Sequence, residues 1–235
     1  MPLKKSTAAI VALLLPCLAY VVVVVLTDRV FWRTAIPAGK ERRAAVAICS
    51  NPSVTPFQKW GAKQFTWPYL DKYYDTACYC VQSRSDNCKQ AFLSCLDAAL
   101  ERHAEVDLFL LAHTNSFFHW VQELPPEHRA RLRLVYNSGC HNLEQGPTWL
   151  GLGAKAYVGH PGISESPVFY CYFLRRWVQD GAILENAIDE SNALMQAALA
   201  RMELASLGEL NAAKTSRETR AFCYGEKRLR FTGQE

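Results

Sequence analysis

At 235 residues, half of them apolar, the chain can bury one substantial core, or one domain plus a membrane anchor. The formal net charge of +4 is modest, and the basic residues are spread out apart from a cluster at Lys40, Arg42 and Arg43, which reads as a solvated or juxtamembrane segment. No aromatic-interleaved basic motif accompanies it, so nucleic acid is not an expected partner.

In chain order, a short tail (residues 1–7) precedes "AAIVALLLPCLAYVVVVVL", residues 8–26, an uncharged run close to the ~20 residues that cross a bilayer as a helix. It is longer than the hydrophobic region of a signal peptide and lacks a small-residue cleavage site at its end, so a retained single-pass anchor is expected. Phe31 and Trp32 suit the interfacial aromatic belt, and residues 27–43 form a basic juxtamembrane linker. Two signals oppose each other on which side the domain faces. Arg29, Arg33, Lys40, Arg42 and Arg43 favour the cytoplasm. The eight cysteines beyond Cys17 favour an exported, oxidising setting. Cys78, Cys80, Cys88 and Cys95 lack the paired C-x2-C knuckles of a zinc site, so buried thiols or one or two disulfides are expected there, and no metal.

From residue 44 short apolar runs alternate with helical periods. "AAVAICS" (44–50) is a buried strand ended by Asn51-Pro52. The aromatic residues Trp60, Phe65, Trp67, Tyr69 and Tyr74 of segment 57–74 fit a core or a helix face better than a ligand cage. "ACYCV" (77–81) alternates like a second strand, and residues 86–103 carry Phe92, Cys95, Leu96, Ala99 and Leu100 at helical spacing, with Asp86 as the expected N-cap. "VDLFLLAH" (106–113) is a continuous apolar strand ending in His113. A short connection broken by Pro125-Pro126 leads to the next strand, "RLRLVYNSGC", which ends in Cys140. "TWLGLG" (148–153) is a short helix and "AKAYVGH" (154–160) another buried strand. Gly151-Leu152-Gly153 precedes this strand instead of following one, which discounts a dinucleotide loop. Segments 167–181 and 182–207 are helical by period, and "TRAFCYGEKRLRF" reads as a closing strand pair.

Strands alternating with helices indicate an α/β domain with a mostly parallel sheet. Reacting groups gather at the carboxyl ends of such strands, where both His113 and Cys140 fall. An imidazole favours a neighbouring thiolate and can protonate a leaving amine, and the ends of adjacent strands lie about 5 Å apart. Gly139 permits a tight turn that exposes Cys140. The plainer account is that a cysteine after a strand is a buried hydrophobe and an isolated histidine a hydrogen-bonded residue. His141 points elsewhere from a turn, His160 could line the same rim, and His103, His119 and His128 show no partner in the sequence.

"DLFLLAH" followed by "LRLVYNSGC" resembles the caspase-like, clan CD, cysteine peptidases, especially the bacterial gingipain-like and CHAT-type branches. There one strand ends in the catalytic histidine and the next core strand in a small-small-Cys sequence. "GLGAKAYVGH", "FYCYFLRRWVQDGAILENAIDESNAL" and "FCYGEKRLRF" are similar to later parts of that family, so the resemblance spans residues 44–235. It implies a caspase–haemoglobinase-like three-layer α/β domain and a cysteine endopeptidase, with His113 as general acid/base and Cys140 as nucleophile. The backbone N–H groups of Thr114 and Cys140 would be the oxyanion donors, and Gly159 and His160 would border the substrate pocket. Such chemistry requires no cofactor. The other reading is a catalytically inactive member that serves as a membrane-tethered binding or scaffolding module. The peptide or protein partner and the oligomeric state are not specified by the sequence.

Overall fold

Continuous apolar strands need cover on both faces, and the chain supplies it. The computed structural model describes residues 41–50, 56–82, 88–112, 116–165, 168–205 and 210–231. Their strands are β1 (Glu41–Ser50), β2 (Tyr74–Gln82), β3 (Val106–Ala112), β4 (Leu132–Asn137), β5 (Ala156–Gly159) and β6 (Phe222–Gly225). They form one sheet in the order β2-β1-β3-β4-β5-β6, parallel throughout except for β6, which runs antiparallel to β5.

Successive side chains point to opposite faces, so each central strand feeds two cores. Ala45, Ala47, Phe109, Leu111, Leu134, Tyr136, Ala156 and Val158 face one; Ala44, Val46, Ile48, Leu108, Leu110, Val135 and Tyr157 face the other. The first face is covered by α1 (Pro56–Tyr73), a helical stretch over Val168–Phe173 continuing into α6 (Leu174–Val178), and α7 (Leu184–Ala205). The second is covered by α2 (Lys89–Arg102), α3 (Phe117–Val121) and α5 (Gly146–Gly151), with the short α4 (Pro126–Arg129) preceding β4. The domain is therefore three layers of α/β structure.

The described elements differ from expectation at several points. The helix over 86–103 begins at Lys89; its N-cap is Cys88, with no side-chain capping bond, and Asp86 lies outside the described residues. β1 starts at Glu41, so the last residues of the expected linker are already strand, and Arg43 donates to Glu105 at 2.6 Å and to the carbonyl of Phe231. In α1, Tyr69 and Leu70 are buried, but Trp60 is 53% exposed. The closing segment yields one strand, β6, and an isolated bridge between Ile183 and Arg230 instead of a strand pair. A helix not expected from the pattern, α8 (Ala212–Thr219), precedes β6.

At the amino ends of the strands sits a buried polar knot. Arg133 on β4 donates through Nε to Asp107 on β3 at 2.7 Å and through Nη2 to the other carboxylate oxygen. Tyr74 and Trp177 donate to the same carboxylate, at 2.6 and 3.1 Å. The pair is excluded from solvent, and its four donors satisfy the charge that burial would otherwise penalise.

No helix among the described residues is long and apolar enough to cross a membrane; the expected anchor, residues 8–26, lies outside them.

Candidate functional site at the carboxyl end of the sheet

β3 and β4 are direct neighbours in parallel register, with Leu110 opposite Asn137. The chain thus leaves both strands at the same edge of the sheet, β4 towards Cys140 and β3 towards residue 113. His113 and Thr114 lie outside the described residues.

Cys140 lies in a tight turn whose geometry is set by two asparagines. Asn137, the last residue of β4, accepts the N–H of Gly139 on Oδ1 at 3.0 Å, and Ser138 donates its N–H back to Leu110 at 2.9 Å. Asn142 is fully buried and donates from Nδ2 to the carbonyls of Gly139 (2.7 Å) and Asn137 (3.1 Å). Between them His141 takes φ 50°, the left-handed conformation that lets the chain reverse and leaves its side chain exposed. Backbone amides that would otherwise be stranded at the strand end are thereby satisfied.

The turn is fastened to the segment that follows β5. Asn142 Oδ1 accepts the N–H of His160 at 2.8 Å, the carbonyl of His160 accepts from Asn142 and Leu143, and His141 donates to the carbonyl of Gly162 at 2.9 Å. Ser164 then directs its backbone N–H at the sulfur of Cys140, 3.4 Å away. Cys140 itself is partly buried.

Gly159 and His160, expected to border the substrate pocket, are both bonded or packed into the support of the turn. A Cβ at Gly159 would lie 2.5 Å from Asn142 Oδ1, so the glycine is what allows Asn142 to reach the end of β5. His160 is wholly buried; its Nδ1 lies 2.6 Å from the carbonyl of Thr219, so that nitrogen carries the proton and donates it. Nε2 is left without a partner, and burial pushes the imidazole down to about 4. The 161–165 segment, which meets the Cys140 turn through Gly162 and Ser164, is itself held by α8: Gly162 donates to the carbonyl of Glu218, and Glu165 donates to Thr219 Oγ1 at 2.6 Å.

No family model matches this chain, and neither a curated protein nor a solved structure matches it.

The remaining histidines have other neighbours: His128 pairs with Asp97 at 2.7 Å, His103 with Thr76 Oγ1 at 3.1 Å, and the His119 ring lies at a tilt to Phe118 with centroids 4.0 Å apart. Partners for His128 and His103 were not visible in the sequence, because each bond joins residues more than twenty-five positions apart. Asn142 and Thr219 also escape sequence reasoning. Asn142 offered a weak signal, an amide shortly after a Gly-Cys turn, and Thr219 offered none.

Proposed function

We propose that the chain is a membrane-anchored, caspase-like cysteine endopeptidase that uses His113 and Cys140, with residues 8–26 as the anchor. The observation that carries this reading is the parallel pairing of β3 with β4, which brings the chain ends leading to these two residues to one edge of the sheet. In the reaction the Cys140 thiolate attacks the scissile carbonyl, and the oxyanion is held by the backbone N–H groups of Thr114 and Cys140. His113 protonates the leaving amine to give a thioester, then takes a proton from the water that releases the acid and regenerates the thiol. No cofactor takes part in these steps. Gly159 and His160 act beneath the substrate, by seating the turn, and the 161–165 segment provides the adjoining wall.

The second reading is a non-catalytic, membrane-tethered binding module. It is favoured by the contact of Ser164 with the Cys140 sulfur, which already occupies one approach to the thiol, and by Thr114, since the caspase-like peptidases that the sequence resembles usually carry glycine directly after the histidine.

Alkylation kinetics separate the two. Burial pushes the Cys223 thiol up to about 12 and also raises Cys80 and Cys88, so these serve as slow internal references. Cys140 is expected to label fastest at neutral pH, with the advantage lost in His113→Ala. Labelling of Cys140 no faster than Cys223 would sink the peptidase reading and leave the binding module. A reporter active only outside the cytoplasm, fused after Glu235, determines which side of the membrane the domain faces.

A further inference from the structure

On the outermost strand of the sheet, β2 and α2 face each other through a ladder of polar and sulfur-bearing side chains. Thr76, Cys78 and Cys80 alternate onto one face of β2, while Cys88, Cys95 and His103 lie about two helical turns apart along α2 and its caps. Thr76 meets His103 at 3.1 Å, and Cys78 is disulfide-bonded to Cys95. Cys80 lies 3.8 Å, sulfur to sulfur, from Cys78. Cys88, the N-cap of α2, is buried in the same core and lies outside the close group of sulfurs. All four cysteines pack against the same core. The sulfurs of Cys78, Cys80 and Cys95 lie within 4.8 Å of one another.

This spacing matches a metal centre as well as a disulfide. Zinc held by thiolates at about 2.3 Å in a tetrahedron has its sulfurs about 3.8 Å apart. The C-x2-C knuckle is one way to supply such a set; a strand with cysteines at i and i+2 facing a helix with cysteines at i and i+7 is another. Four thiolates select a soft cation of tetrahedral preference, of which zinc is the commonest.

We propose that these cysteines form a two-state clip between β2 and α2: the Cys78–Cys95 disulfide under oxidising conditions, and under reducing ones a zinc site on Cys78, Cys80 and Cys95 that Cys88, from the start of α2, closes as the fourth ligand. An external dithiol converts the first state to the second. It reduces the Cys78–Cys95 disulfide to two cysteine thiols and is itself oxidised to a disulfide, and zinc then displaces one proton from each of the four thiols. The clip fastens an edge strand, the element of a sheet with the fewest backbone partners. It does so in either compartment, and it is independent of the peptidase reading, since the ladder lies at the far side of β1 and β3 from Cys140.

The test uses the full chain in detergent, reduced with a phosphine, desalted without oxygen and titrated with Co2+ and then Zn2+. One cobalt per chain is expected, with tetrahedral d–d bands and thiolate-to-metal charge transfer, displaced by zinc and absent from the oxidised protein. Zinc should raise the melting temperature of the reduced chain only. Cys80→Ala retains the disulfide and so folds in the oxidised state; after reduction it should lose the tetrahedral spectrum. Cys88→Ala should lower the charge-transfer intensity by one thiolate's share, and Cys49→Ala, on the other sheet face, should change nothing. A reduced wild-type chain without the cobalt spectrum, a spectrum unchanged in Cys80→Ala or Cys88→Ala, or a reduced chain that unfolds and is not restored by zinc each overturns the proposal.

Discussion

Asn142 Oδ1 accepts the backbone N–H of His160 at 2.8 Å, and this bond joins the turn that presents Cys140 to the end of β5. The same side chain donates to two carbonyls of the turn, so three buried backbone groups depend on it. Each buried group left unpaired costs about 1–3 kcal/mol. Asn142→Ala is therefore expected to destabilise the domain by roughly 2–5 kcal/mol by the same reasoning, read by urea denaturation. It should also alter the alkylation rate of Cys140, whereas a change at an exposed helix position such as Glu190 should alter neither.

Gly159→Ala tests the same junction from the other side. Its methyl group would sit 2.5 Å from Asn142 Oδ1 and 2.8 Å from the Tyr157 ring, both buried. An overpacked core costs about 1–3 kcal/mol, and relief requires Asn142 to move away from His160. A melting temperature equal to that of the wild type would show that the asparagine is not seated as described.

The acid response of the domain has a signature from His160. Its folded-state value lies near 4, below the ordinary 6.5, because burial penalises the imidazolium. The unfolded chain then binds the extra proton more readily than the folded one, so stability is complete above about pH 6.5 and declines as pH falls towards 4. The full span is worth on the order of 3 kcal/mol. His160→Gln keeps a polar side chain without the titration, and its stability should be flatter over this window. A wild-type curve with no slope there would refute the assignment.

Asp107 and Arg133 make the fourth case. Removing the carboxylate strands a buried guanidinium together with the Tyr74 hydroxyl and the Trp177 indole N–H. Asp107→Ala is expected to cost about 3–5 kcal/mol. Replacing both charges by apolar residues of similar volume, as in Asp107→Leu with Arg133→Met, should cost less than Asp107→Ala alone, and chemical denaturation of the set checks this ordering.

These cases mark what the sequence could and could not convey. The strands around Val46, Leu108, Val135 and Tyr157 were legible because parallel strands buried on both faces are continuously apolar. The helix over Phe92, Leu96 and Leu100 was legible because one apolar stripe faces the sheet. The α8 helix was not: its buried residues are only Ala212 and Thr219, so no large apolar side chain marks its inner face, and it is fixed by Asn211 capping Lys214 and by Glu203 accepting from Ala212. Asp107 lay unnoticed in an apolar run because the partner that makes its burial tolerable, Arg133, stands on another strand. At the candidate site Cys140 was marked by its strand and glycine, but its supports at His160, Ser164 and Thr219 come from bonds that bridge long stretches of chain.

The dependence of the 161–165 segment on Thr219 has a consequence for biosynthesis. Chains emerge from the ribosome amino end first, and β1 to β5 can pair before α8 has been translated. His160 then has no carbonyl to receive its Nδ1–H, Glu165 has no hydroxyl to bond, and Ser164 is not held over the sulfur. The surroundings of Cys140 therefore mature late, after the sheet that carries it. A nascent chain stalled before Thr219 would hold the thiol on a formed scaffold but without its finished setting, a built-in delay between acquiring a fold and acquiring a site.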